Sequence, residues 1–238
     1  MYEQLTLFEK DLTNNTEEMQ PAPSKQASKQ ASKQASKQAS KDWIGNKAAT
    51  FATLGASSHS NYEREQRDFY ATEPRALEVL FRDGNIELSN RVLEPSAGNG
   101  HLAEVLKNRG FKVFCRDIVQ RDYPLDEIGD FLEIKYCWDG DIVMNPPYKD
   151  ALNHILKALQ IIPQGHKVFA FLKLQFLEGK ERRKFYETKQ LKTVYVSSSR
   201  LNCANNGRFE DFKSSAVCYA WFEWVKGFNG DPIIKWIN

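Results

Sequence analysis

Two short stretches of this 238-residue chain carry groups suited to chemistry: Glu94-Pro95-Ser96-Ala97-Gly98-Asn99-Gly100 and Asn145-Pro146-Pro147-Tyr148. In the first, the apolar run Arg91-Val92-Leu93 ends in a turn where Gly98 and Gly100 let the backbone approach a ligand closely. Asp117 follows about 17 residues after Gly100, at the end of the next apolar run, where a carboxylate can accept hydrogen bonds from a ribose diol. A glycine turn by itself is compatible with a tight connection that holds no ligand; together with Asp117 it points to one adenosine. In the second stretch each proline fixes its own backbone angle and restricts the residue before it, which makes the turn stiff. It offers two acceptors, the Asn145 side-chain oxygen and the Pro146 carbonyl, beside the aromatic ring of Tyr148. The plain alternative is a proline turn after a strand, with Tyr148 packing into the core.

The elements that must position these residues alternate. RVLE enters the glycine turn as a strand, HLAEVLKNRG reads as a helix ending in glycine, and FKVFCRDI is a second strand. DIVM is a third strand leading to Asn145, ALNHILKALQII a helix and KVFAFLKLQFL a fourth strand. LKTVYVSSS and SAVCYAWFEWV follow as strands, the last with aromatic residues at alternate positions that suit an antiparallel strand of the core. Such alternation predicts a doubly wound α/β sheet with ligands at the carboxyl ends of its strands.

Glu94-Pro-Ser-Ala-Gly-Asn-Gly100 resembles motif I of class I S-adenosylmethionine-dependent methyltransferases, and Asn145-Pro-Pro-Tyr148 resembles motif IV of their amino-methylating branch. Order and spacing also match, most closely those of small phage and bacterial DNA adenine-N6 methyltransferases, over residues 61–238. The resemblance implies a Rossmann-like, mostly parallel seven-stranded sheet with a C-terminal antiparallel strand, and S-adenosyl-L-methionine as cofactor. Asp130-Phe131-Leu132 is similar to the segment that brackets the cofactor adenine, with Ile118 beside Asp117. Asp68-Phe-Tyr-Ala-Thr-Glu-Pro74 is similar to the upstream motif at the methionine end, making Thr72, Glu73 and Pro74 candidates for the cofactor shell along with Glu94, Pro95, Ser96 and Asn145. An extended target-recognition domain is missing from the pattern, which fits low sequence specificity.

The tetrapeptide suits the implied reaction. The N6 amine of adenine is a poor nucleophile and presents two N–H donors, so two acceptors opposite it can draw the nitrogen toward tetrahedral geometry and aim its lone pair. Tyr148 can stack on a base that has left its duplex. An RNA adenine methyltransferase or a protein-glutamine methyltransferase would use the same acceptors, and a tethering protein that keeps the fold but works by binding is a reading of a different class. Asp68 and Glu73 lie near a helix start, where carboxylates more often cap than catalyse. His59, His101, His154 and His166 show no ligand pattern, and no chemistry is assigned to them.

With 33 Lys and Arg against 31 Asp and Glu, the net charge of +2 gives no overall pull toward nucleic acid, so contact must be local. Lys180, Arg182, Arg183, Arg200 and Arg208 are candidates for phosphate contact, the alternative being a solvated charged face. The four cysteines form no Cys-x-x-Cys pair and no histidine stands at zinc-ligand spacing, so reduced thiols, no metal and a cytoplasmic location, in a bacterial cell or phage-infected host, are expected. Residues 1–60 read as a disordered tail, in which residues 25–40 repeat Lys-Gln-Ala-Ser without a large apolar side chain. As a coil, its last ~45 residues would span about 35 to 40 Å. Near its tip, Gln4, Leu5, Leu7 and Phe8 resemble the short peptide by which bacterial DNA-processing proteins dock on the replicative sliding clamp; packing on the chain's own domain is the alternative.

Overall fold

The computed structural model describes residues 70–201, 203–205 and 217–238. The tail, its repeat, Gln4 to Phe8, Asp68 and Arg208 lie outside the described residues. β1 (Tyr70–Thr72) leads into α1 (Pro74–Gly84), which starts on a proline and ends at Asn85 in the left-handed conformation. Ala76, Leu77, Val79 and Leu80 give α1 one apolar stripe. β2 (Arg91–Glu94), α2 (His101–Asn108) and β3 (Lys112–Asp117) form the expected β-α-β unit, followed by the short β4 (Glu127–Ile128). β5 (Asp141–Met144) is buried at every position, as an interior parallel strand must be, and precedes α3 (Ala151–Ile161). β6 (Lys167–Lys173), α4 (Lys180–Tyr186), β7 (Leu191–Ser197), β8 (Cys203–Asn205), β9 (Tyr219–Val225) and β10 (Ile233–Ile237) complete the chain.

Among the described residues, eight strands form the main sheet in the order β10-β7-β9-β6-β5-β2-β3-β4, while β1 and β8 pair in a separate antiparallel ribbon. All pairings in the large sheet are parallel except those of β9 with β6 and β7. The fold is therefore the expected doubly wound, mostly parallel α/β sheet, with one strand more than the seven expected. The antiparallel strand, moreover, is not the last. After β9 the chain turns back, and Ile233–Ile237 pairs parallel to β7 along its outer edge. That strand escapes a reading by apolar pattern because only Ile237 is buried, while Trp236 remains 70% exposed.

Helices cover both faces, and alternate side chains of each strand serve different layers. Ile142, Met144, Val168, Ala170, Phe222 and Trp224 join α3 in one core cluster. Val143, Phe169, Phe171 and Trp221 join α1 and α2 in the other. β9 is buried on both sides, which confirms its aromatic run as core. At the amino end of β5, the buried Asp141 carboxylate accepts from the Ser89 N–H at 2.7 Å and the Lys167 N–H at 2.8 Å. These bonds lock the central strand between its neighbours. Among the described residues no helix is long and apolar enough to cross a membrane.

Candidate functional site

The chain leaves β2 toward β3 on one side, whereas β5 neighbours β2 on the other, so the sheet order reverses between β2 and β5. A cavity of about 460 Å³ opens at the carboxyl ends of these two strands. β2 contributes Glu94 followed by Pro95 and Ser96, β3 contributes Asp117 followed by Ile118, and β5 delivers Asn145 to Tyr148. Asp130 and Phe131 close one wall and Thr72 another. The two stretches that stand about 50 residues apart in the chain thus line one space. Glu73, Pro74, Gly98 and Gly100, also expected in the cofactor shell, do not line this space.

The glycine turn is held by backbone bonds. Ala97 N–H donates to the Arg116 carbonyl on β3 at 3.0 Å, and Gly100 N–H donates to the Ala97 carbonyl at 2.7 Å. Gly100 has φ +77°, and a Cβ there would meet the Tyr123 ring at 2.3 Å, so glycine is required on two counts. Asp117 spans the turn: Oδ2 accepts from Gly98 N–H at 2.8 Å, and Oδ1 accepts from Val119 N–H at 3.0 Å. Its remaining acceptor capacity is free to meet a diol. Asp130 caps its 3-10 turn by accepting from Leu132 N–H at 2.9 Å, while the buried Arg116 donates to the Gly129 and Asp130 carbonyls.

Glu94 is 1% exposed, and its Oε2 has no hydrogen-bond partner among the described residues. Burial, reinforced by the nearby Asp117 charge, holds its carboxyl well above the usual carboxylate range. The acceptor turn is anchored differently. Asn145 Nδ2 donates to Cys203 Sγ at 3.8 Å, and the Tyr148 hydroxyl donates to the same sulfur at 3.0 Å. Burial is the main cause of the raised Tyr148 hydroxyl and of the Cys203 thiol being pushed up to about 12, so both keep their protons at neutral pH. Tyr148 is half-buried, its ring 6.0 Å from that of Tyr219, with the Lys173 ammonium 5.2 Å from its centre.

Sequence reasoning missed several lining residues. His101 and His154 both face the cavity, and His154 stacks on Phe131 at 5.6 Å. Burial lowers both imidazoles, which favours their neutral forms. Ala71, Arg121 and Lys149 also line the space. Only the position of Lys149 beside the turn at Tyr148 could have drawn attention to it. The candidate phosphate contacts stand elsewhere: Lys180, Arg182, Arg183 and Arg200 do not line the cavity. Arg182 donates to the Phe176 carbonyl at 2.8 Å with its guanidinium 4.9 Å from the Phe176 ring centre, Arg183 pairs with Glu187 at 3.0 Å, and Arg200 touches Cys218. Within the cavity itself the cations are Arg121 and Lys149.

No protein-family model matches the chain, and no curated protein matches it. Solved structures do. A "putative hemolysin" from Lactococcus lactis aligns with a TM-score of 0.50 at 14% identity, over 71% of this chain and 93% of that one. A "putative RNA methyltransferase" from Pyrococcus horikoshii aligns at 0.48 and 18% identity, over 74% and 97%. A "putative class I S-adenosylmethionine-dependent methyltransferase" from Listeria monocytogenes aligns at 0.48 and 12%, over 80% and 71%. At such identities the likeness to the Lactococcus protein speaks to the fold alone.

Proposed function

We propose that this chain is an S-adenosyl-L-methionine-dependent methyltransferase that methylates the N6 amine of adenine in DNA. The observation that carries the proposal is the meeting of the Asn145 to Tyr148 turn with Glu94 and Asp117 in one cavity at the switch point of the sheet. The residues present fit the cofactor. The volume lies within the range of about 300 to 1,000 Å³ usual for small-molecule sites. The buried Glu94 carboxyl offers an oxygen, Oε2, that no described residue bonds, Asp117 offers an acceptor to a ribose, and the half-exposed Ile118 with the buried Phe131 offers apolar surface to a purine. When bound, the cofactor supplies an electrophilic methyl group on a sulfonium.

The rest falls to the chain. A flipped adenine presents two N–H donors, and Asn145 Oδ1 with the Pro146 carbonyl accepts them. As those bonds tighten, the amine nitrogen loses conjugation with the ring and its lone pair turns toward the electrophile. Pro146 and Pro147 hold the acceptors stiff, so little reorganisation accompanies the reaction. The Tyr148 ring offers a face for stacking, which is worth about 1 to 3 kcal/mol per base. Arg121 and Lys149 line the same cavity and would meet substrate phosphates or the cofactor carboxylate. At the far end of the chain, Gln4, Leu5, Leu7 and Phe8 would dock on a sliding clamp and raise the local concentration of enzyme on DNA without new contacts at the site.

The test gives purified protein labelled S-adenosyl-L-methionine with unmethylated DNA, total RNA and protein extract in turn, followed by nucleoside analysis. N6-methyladenine in the DNA arm is expected. Label confined to RNA or to protein would overturn the substrate assignment, and no label in any arm would overturn the activity.

A further inference from the structure

We infer that Cys203, a residue outside the cavity, is a positioning residue that sets which way the Asn145 amide faces. This rests on the role proposed for Asn145. β8 carries Cys203 to the back of the acceptor turn by pairing with β1, where Thr72 opposes Cys203. The thiol is buried, sits in the core cluster with Phe171, Tyr219 and Trp221, and does not line the cavity. Its sulfur nevertheless receives two hydrogen bonds from the turn, from Asn145 Nδ2 at 3.8 Å and from the Tyr148 hydroxyl at 3.0 Å.

The consequence follows from amide chemistry. A carboxamide has a donor end and an acceptor end, and rotating it by half a turn exchanges them. Methylation of an amine needs the oxygen toward the substrate, because an NH₂ aimed at an amine sets donor against donor. Seated at the sulfur, Nδ2 leaves Oδ1 at the opposite end of the planar amide, turned away from Cys203. The same sulfur fixes the Tyr148 hydroxyl, so one atom behind the turn holds both the acceptor and the aromatic platform. Tyr148 and Cys203 both stay protonated at neutral pH, so this anchor is uncharged and does not switch in the physiological range.

A cysteine that merely fills core space and one that orients an amide predict opposite orders of substitution. A packing role tolerates Cys203→Val or Cys203→Ala and penalises the buried hydroxyl of Cys203→Ser. Orientation needs an acceptor, so Cys203→Ser should keep kcat within about 3-fold of the unsubstituted enzyme, while Cys203→Val and Cys203→Ala lower it by about 10-fold or more, the effect of one misdirected hydrogen bond. Cofactor Kd, read by calorimetry, should be the same in all three because the thiol lies outside the cavity. A second readout does not depend on turnover: the Asn145 side-chain amide resonances, assigned by their loss in Asn145→Asp, should shift in Cys203→Val and return toward their original positions in Cys203→Ser. An order in which Val matches the unsubstituted enzyme and Ser falls below it, or Asn145 resonances that ignore Cys203, would overturn the inference. Should the unsubstituted enzyme transfer no methyl group to any substrate, the proposed function fails while the resonances still decide the orientation.

Discussion

Replacing Gly100 by alanine tests how the glycine turn is built. Gly100 has φ +77°, a region that costs an L-residue about 1 to 2 kcal/mol, and the new Cβ would lie 2.3 Å from two Tyr123 ring carbons. Tyr123 does not move freely: its hydroxyl donates to Glu104 at 2.7 Å and accepts from Lys107 Nζ at 2.8 Å, with the same ammonium 5.0 Å from the ring centre. Either the ring leaves these partners or the turn shifts, an overpacking cost of about 1 to 3 kcal/mol. Together the two effects come to roughly 2 to 5 kcal/mol. Gly110→Ala is the control, since its φ of +87° carries the conformational cost but nothing lies within 4 Å of its Cβ. Urea unfolding of both variants at constant slope should place Gly100→Ala below Gly110→Ala by about 1 to 3 kcal/mol. Adding Tyr123→Ala should narrow that gap. Equal destabilisation by the two alanines would refute the steric account of the turn.

Other consequences can be measured on the same material. Because burial raises the Glu94 carboxyl, it contributes stability that is fully present below about 4.5, its ordinary value, and is lost as pH rises through the raised value. Urea midpoints should therefore fall with pH in the unsubstituted protein and less so in Glu94→Gln, whereas parallel profiles would exclude a buried proton on Glu94. Asp117→Ala strands the Gly98 and Val119 N–H groups and removes the acceptor proposed for the ribose. Cofactor Kd by calorimetry should rise by about 10-fold or more, and an unchanged Kd would remove Asp117 from the site. Joint replacement of Leu7 and Phe8 by alanine should abolish binding to a sliding clamp in a pull-down with the purified clamp while leaving methyl transfer to short DNA intact; retained clamp binding would refute the docking peptide.

Much of the candidate site was legible because its residues are constrained locally. The glycine turn needs a residue free of a Cβ at Gly100, and the proline turn needs rings at positions 146 and 147; each leaves a mark within a few neighbouring letters. The alternating strands and helices were legible for the same reason, since burial on one stripe or on both faces dictates apolar spacing. What escaped depends on partners distant in the chain. Cys203 meets Asn145 only through the pairing of β8 with β1, and a lone cysteine in a polar segment carries no periodic signal. His154 looked like an ordinary helix residue until α3 placed it on Phe131. Arg182 stands in a charge run that fits a phosphate contact or a solvated face alike, and its bond to a carbonyl and packing on Phe176 depend on the fold. β10 was hidden because an edge strand needs only one buried residue, Ile237, to stay in register with β7.

In the proposed reaction the Asn145 oxygen accepts from the amine being methylated. Single-turnover transfer of labelled methyl to unmethylated DNA, compared between the unsubstituted enzyme and Asn145→Ala, tests it most directly. At saturating cofactor, loss of one such acceptor should slow transfer by about 10²-fold or more. Asn145→Ala transferring methyl groups to adenine at the unsubstituted rate would remove Asn145 from the reaction.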